Sequence, residues 1–456
     1  DLRGAYYQGF SNSGSTHLTV SGGVVREAVD AVYLGSFRNA AADNWLSLEG
    51  GEVWAGRLSQ HAKKGEPGKD VDVRLFASGG TLVATLTGKP NVASTLDPFI
   101  EGDASKFHTY ARAGGLVVDT MLNEVNYNAA IAGNDDPSKA DGGVTKLGAG
   151  VLRLSAPCSY AGTNDVRCVT LELAAANAAA LTKVSMGATL RIGDPAHYSR
   201  AVRLASGGRL SFAGAALSLE ALSAAADGRL VLSPGVQTVA IGSAPELEGT
   251  LGVELAGAVA NGTYPLVSAA AAGQMAAACR VANPAAGKAY SFAAANGLVS
   301  VTVADAAALS AWNAPAGGAW TEPGNWTGGA PTSAGAQATF GVSAAVDVDA
   351  DVTVGSLLID GAESLALGGA GTLTLANGGA AALVEARTGS HAISAGLTLQ
   401  GGAVLKAAAG AALTLSGEIR AAPGAAALLE IRGAGTVSVA GDCHVPILVA
   451  DTATLC

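Results

Sequence analysis

The sequence predicts an all-β chain wound as a right-handed parallel β-helix, a solenoid whose coils stack on one another, and three observations predict it. The first is composition. Charged residues are 14% and aromatics 5% of 456 residues, whereas glycine supplies 62 and proline 15. A chain so rich in turn formers and so poor in large side chains must bury many small aliphatic residues in thin, repeated layers. The second is a spaced repeat. Leu18-Thr19-Val20-Ser21-Gly22-Gly23 returns 28 residues on as Leu46-Ser47-Leu48-Glu49-Gly50-Gly51, and 29 residues after that as Leu75-Phe76-Ala77-Ser78-Gly79-Gly80. The third is alternation of apolar and polar residues at steps of about 20 residues, the length of one coil.

Residues 1–125 hold the Gly-Gly copies. Each places apolar side chains at alternate positions, followed by two glycines free to take φ > 0 at a corner. Residues 126–310 carry Val151-Leu152-Arg153-Leu154, Thr170-Leu171-Glu172-Leu173, Thr189-Leu190-Arg191-Ile192, Arg209-Leu210-Ser211-Phe212 and Gly228-Arg229-Leu230-Val231-Leu232. Two Ala-rich stretches, 213–226 and 256–278, lack a 3.6-residue apolar stripe and read as turns or short helices. Composition changes at 304–312, where three tryptophans fall within fifteen residues, so a boundary is placed at 310. Residues 311–456 resume the strand pattern at Thr372-Leu373-Thr374-Leu375, Gly396-Leu397-Thr398-Leu399, Ala412-Leu413-Thr414-Leu415 and Thr436-Val437-Ser438-Val439.

Charge and hydropathy exclude several classes. The net charge is −10 and the longest basic run is Lys63-Lys64, which argues against a phosphate-tracking nucleic-acid surface. No stretch reaches about 18 consecutive apolar residues, so no membrane insertion is expected within the chain. The first residues carry no signal peptide, so any export signal is expected to lie outside the sequence or to have been removed. Cys158 and Cys168 are ten positions apart and Cys443 and Cys456 thirteen, spacings that suit local loop closure. They read as two disulfides of an oxidising compartment, with buried reduced cysteine as the alternative. Cys279 is left as a buried free thiol.

The segment Gly142-Gly143-Val144-Thr145-Lys146-Leu147-Gly148-Ala149-Gly150-Val151-Leu152-Arg153-Leu154-Ser155 resembles the passenger-associated transport repeat of autotransporter passenger domains. Tyr160, Gly162, Thr163, Val166 and Leu171-Glu172-Leu173 continue the likeness. Pro157 and Cys158 depart from the family's Asn with one extra residue, and Cys168 replaces a small residue before the last strand. The stretch from Trp312 to Asp360 resembles a module of large bacterial surface proteins that opens a fresh β-helix section. Its marks are Trp312, Gly317-Gly318, Trp320, Asn325-Trp326, Pro331, Phe340 and Val354-Gly355-Ser356-Leu357. The resemblance implies a bacterial extracellular or outer-membrane-associated passenger.

Several side-chain groups could carry chemistry. Asp347, Asp349 and Asp351 alternate along an expected strand, Val346 to Val354, and would project from one face. Three carboxylates so placed could take Ca²⁺, against the alternative of a solvated outer face. Asn134, Asp135, Asp136 and Asp141 raise the same question, with a turn as the alternative. Trp312, Trp320 and Trp326 could stack against sugar rings, or close the end of a coil stack; Trp45 and Trp54 are read in the second way. The six histidines are scattered, and no catalytic motif is found. Asp70 and Asp72 beside Arg74, or Asp119 and Glu124, could in principle supply the site of a polysaccharide lyase or glycoside hydrolase of this fold. Adjacent acids on strands are more often surface decoration, and the fold alone does not promote them.

The expectation is therefore a non-catalytic structural or adhesive solenoid without a cofactor. It would associate with its own copies through strand edges or with a host or extracellular glycan surface. The alternative is an enzyme or binding module for extracellular polysaccharide.

Overall fold

The computed structural model describes residues 2–4, 16–27, 31–34, 43–60, 71–85, 92–305, 310–450 and 454–455. The chain forms a parallel β-solenoid divided into two compact units. The first comprises Asp1–Leu204, Gly208–Ser223 and Val239–Ser243; the second comprises Ala205–Gly207, Ala224–Thr238 and Ala244–Cys456.

In the first unit, the strands Thr16–Glu27, Asn44–Ala55, Val73–Ala84 and Phe107–Asp119 lie side by side in parallel. Their register follows the repeat, with Leu18 level with Leu46, Leu75 and Thr109. The Gly-Gly pairs do not end strands at a corner as expected. Each strand runs through its glycines and bends there, with φ of +73° at Gly23 and +68° at Gly51. The bends stack, so that a side chain on Gly51 would overlap the backbone of Gly22 and Gly23. Only glycine allows the strands this close an approach.

The ladder continues through Val144–Leu147, Thr163–Val166, Leu181–Val184 and Ala201–Leu204. A second ladder joins Thr95–Leu96, Glu124–Tyr127, Val151–Leu154, Thr170–Leu173, Thr189–Ile192 and Arg209–Phe212. A third, sparser column is made by bridges from Ile131 to Cys158 and from Cys158 to Asn177. Alternation sends Leu152, Leu171, Leu190 and Leu210 inward at matching positions, each 1% exposed or less. Burying a leucine this fully contributes roughly 1.5–3 kcal/mol, and every coil repeats it.

The second unit opens with a parallel ladder of Gly228–Leu232, Leu251–Leu255 and Cys279–Val281. Beside it an antiparallel sheet pairs Leu298–Asp305 with both Gly262–Ala269 and Lys288–Ala295, packed on a short helix, Ala272–Ala278. The Ala-rich stretch at 256–278 therefore forms a strand and a helix, while that at 213–226 forms the strands Ala216–Leu219 and Ala221–Ala225. In the latter, Leu217, Leu219 and Leu222 are buried at strand spacing, and ladder pairing overrides the helix preference of alanine.

From Ser310 a three-sided stack follows. One side runs through Ser310–Trp312, Gln337–Phe340, Ser356–Ile359, Ala382–Ala386, Ala403–Ala407, Leu429–Gly433 and Ile447–Val449. The other two include Ala344–Asp347, Leu365–Gly368, Ser390–Ile393, Ala412–Leu415 and Thr436–Val439, and Val352–Val354, Thr372–Leu375, Gly396–Leu399 and Ile419–Ala421. One aliphatic core fills this stack, from Trp312 to Val445. Among the described residues no helix is long and apolar enough to cross a membrane.

Candidate functional site

The three aspartates do not share a strand. A corner at residues 348–351 separates Ala344–Asp347 from Val352–Val354. Asp349 accepts the Thr321 backbone N–H at 3.0 Å and the Thr321 hydroxyl, reaching to the preceding coil. Asp351 accepts the Thr372 N–H at 2.9 Å, reaching to the following one. The Thr321 bonds hold the Asp349 carboxyl below its ordinary range. Among the described residues no three His, Cys, Asp or Glu side chains converge so as to hold a metal ion. The expected Ca²⁺ site at Asp347, Asp349 and Asp351 is thus corrected: Asp349 and Asp351 are coil-to-coil caps, and Asp347 is exposed at the end of its own strand. The loop at 134–141 behaves alike: Asp135 pairs with Arg112 through two hydrogen bonds at 2.6 and 2.8 Å, and Asp141 accepts the N–H of Asn134 and of Ala161.

The tryptophan expectation is also corrected. Trp312, Trp320 and Trp326 are 3%, 0% and 4% exposed, so no ring face is open to a sugar. They pack edge to face around Phe340, and their indole N–H groups donate to the carbonyls of Ala314, Pro331 and Trp320. The cluster begins the second-unit stack, the alternative role read for it.

Cys158, Cys168, Cys279 and Cys443 are free thiols, so the expected Cys158–Cys168 bridge is absent. Cys158 is buried in the third column between Ile131 and Asn177, and burial pushes its thiol up to about 12. Cys168 is exposed at a different corner, in the turn leading into Thr170–Leu173. Cys456, the expected partner of Cys443, lies outside the described residues.

The acids of the alternative reading do not come together either. Asp70 lies outside the described residues. Asp72 is exposed and pairs with His108 at 3.4 Å, Arg74 pairs with Asp43, and Asp119 accepts the Met121 N–H at 2.7 Å. Glu124 is exposed at the start of its strand.

Three arrangements were not expected. On the outer face of the first four long strands, His17 stacks on Trp45 with centroids 4.4 Å apart, Trp45 meets Phe76 edge-on, and Phe76 stacks on Tyr110 at 5.6 Å. Arg112 lies 4.0 Å over Phe76, a cation–π contact. Trp45 and Tyr110 are half-buried rather than closing a coil end, and so is Trp54, which lies under Arg26. The signal was present: Leu46 and Leu48 point inward, so Trp45 must point out. Within the row Phe76 is itself buried between its neighbours.

Inside the first unit, the Lys146 side chain is fully buried and donates to the Gly148 carbonyl at 2.6 Å. Desolvation pulls its ammonium down to about 8. In the second unit, Arg229 is 2% exposed and meets Glu430 at 2.6 Å, Glu254 at 3.0 Å and Asp227 at 3.3 Å. Arg432 joins them, 3.0 Å from Glu430 and 3.2 Å from Glu254. No local pattern announces a pair 201 residues apart.

No family model, no curated protein and no solved structure matches this chain.

Proposed function

We propose that the chain is a non-catalytic structural or adhesive solenoid of a bacterial cell surface, similar to an autotransporter passenger. One observation carries this reading. The polar side chains that offered themselves as ligands or catalysts are spent joining one coil to the next: Asp349 to Thr321, Asp351 to Thr372, Asp141 to Ala161 and Arg112 to Asp135. An active site instead needs groups whose hydrogen-bonding capacity is kept for a substrate. The repeat-like segment at 142–173 supports the passenger assignment, and the lengths of stacked ladder in each unit suit a stiff spacer.

A second reading, binding of extracellular polysaccharide, draws support from half-buried Trp45 and Tyr110 on an outer face. The test is a glycan and polysaccharide screen scored for retention and for new reducing ends or unsaturated products. The proposal expects no products; turnover overturns it. Retention lost on Trp45→Ala would make the chain an adhesin with that face as its contact. Self-association is part of the proposal, and a monodisperse monomer by light scattering at high concentration would remove that part.

A further inference from the structure

In the second unit, the last coils before residue 282 and the stack beginning at Ser310 lie with outer faces together. Val281 bridges Ala380, and the cluster centred on Arg229 reaches Glu430. A side chain on Gly401 would strike Arg280, one on Gly402 would approach Asp227, and one on Gly249 would approach Ala426. Arg229, Gly249 and Glu254 lie against Glu430, Ala426 and Arg432, whereas Arg280 and Val281, further along the first strand set, lie against Gly401 and Ala380, earlier in the second. The two stacks therefore run in opposite directions.

Such a contact has a built-in ambiguity. Successive coils in both stacks repeat at about 4.8 Å, and the apolar part of the contact is small: Ala286, Ala381, Leu383 and Val404. Sliding one stack by a coil would exchange one small aliphatic residue for another at little cost. The charges break the degeneracy. Ser356, Leu383, Val404, Glu430 and Leu448 occupy one row across the sheet. In this row Glu430 faces Arg229. A shift of one coil in either direction would leave Arg229 with Asp227 and Glu254 of its own stack but set Val404 or Leu448 in place of Glu430, and would part Arg432 from Glu254, so that both buried pairs across the contact are lost.

We infer that the buried cluster of Arg229, Asp227, Glu254, Glu430 and Arg432 is a registration lock, fixing which coil of one stack docks on which coil of the other. The cluster is built for specificity more than for strength. Arg229 Nε finds no hydrogen-bond partner, and an incompletely satisfied buried network contributes less than well-packed apolar residues of the same volume. The ladders within each stack need none of these charges, so the lock governs docking and not coil formation.

The test uses full-length chain with its five natural cysteines replaced by serine and two reporter pairs. Ala226 and Ala426 both border Gly249, so Ala226→Cys with Ala426→Cys reports the observed register. Leu429 is level with Ala403, which puts Gln400 one coil away from Ala426, so Ala226→Cys with Gln400→Cys reports the displaced register. With the charges intact, oxidative cross-linking of the first pair is expected to exceed the second by about tenfold or more; in a variant carrying Asp227→Asn, Arg229→Met, Glu254→Gln, Glu430→Met and Arg432→Met, which removes both pairs across the contact, the preference should collapse to within about threefold, with β-sheet circular dichroism unchanged. A preference kept in that variant overturns the inference. If that variant loses its β-sheet signal, Glu430→Gln serves instead, since it keeps the shape and removes the charge. A fall in its register preference supports the lock, and an unchanged preference overturns it.

Discussion

Tyr160 donates its hydroxyl hydrogen to Asn164 Oδ1 across 2.6 Å, with both residues fully buried inside the first unit. Asn177 donates to the same tyrosine oxygen at 3.1 Å, and Asn164 reaches Asn177 and Thr182, so one polar chain links three successive coils. Tyr160→Phe keeps the ring and strands its partners. It is expected to lower stability by about 1–3 kcal/mol, the cost of buried groups left unpaired, measured by urea unfolding. Tyr160→Phe at wild-type stability would show that the network is slack.

Lys146 predicts a pH dependence. Its folded-state value, about 8, lies below the ordinary 10.5, so the unfolded chain holds this proton more tightly. The penalty is fully present below pH 8 and is relieved as pH rises toward 10.5, so this group makes stability climb with pH across that window. Lys146→Met should abolish that climb and raise stability at pH 7 by roughly 1–3 kcal/mol, as seen in urea midpoints measured from pH 7 to 10. Identical pH profiles for the two proteins would mean that the ammonium is well solvated.

Calcium should do nothing. Because Asp349 and Asp351 already accept donors from two different coils, neither added Ca²⁺ nor a chelator is expected to move the melting temperature. Asp349→Ala, by contrast, should lower the melting temperature, as loss of a comparable backbone cap does. A calcium-dependent rise in melting temperature that vanishes in Asp349→Ala would restore the metal site.

Trp320 is expected to behave as core. Trp320→Ala should cost about 3–5 kcal/mol and leave any glycan retention by the folded protein unchanged. The combination of calorimetry and a binding assay separates this from a sugar-stacking role, which would show the reverse.

Glycine position should decide tolerance. Gly143→Ala places a methyl group into the Thr163 backbone and is expected to destabilise severely, whereas Gly273→Ala, in the helix Ala272–Ala278 with open space around it, should stabilise by up to about 1 kcal/mol. Thermal melts of the two variants check both signs.

Much of the fold was legible in local alternation. The runs at 151–154, 170–173, 189–192, 209–212, 372–375 and 412–415 are all strands, with their leucines inward. The Ala-rich segments were not, because alanine fits helix, strand and turn alike and only its ladder neighbours decide. Site residues fared worse for a similar reason. Trp320 sits between Ala319 and Thr321, with no alternating frame to show which way it points. Arg229 was correctly legible as outward-facing, but what lies outside it is a strand two hundred residues later, and the Asp349 carboxylate is committed by a threonine on another coil.

The ladders have a mechanical consequence. Their hydrogen bonds lie along the stacking direction, while the strands run across it. A pull along the stack therefore loads all the bonds of a coil together in tension, and a coil held by Val151–Leu154 and its like should let go as a unit. Each release would free about 20 residues, some 70 Å of chain when taut. Stretched between two anchored points, such a stack would lengthen in steps of one coil's length, shedding load one coil at a time instead of breaking.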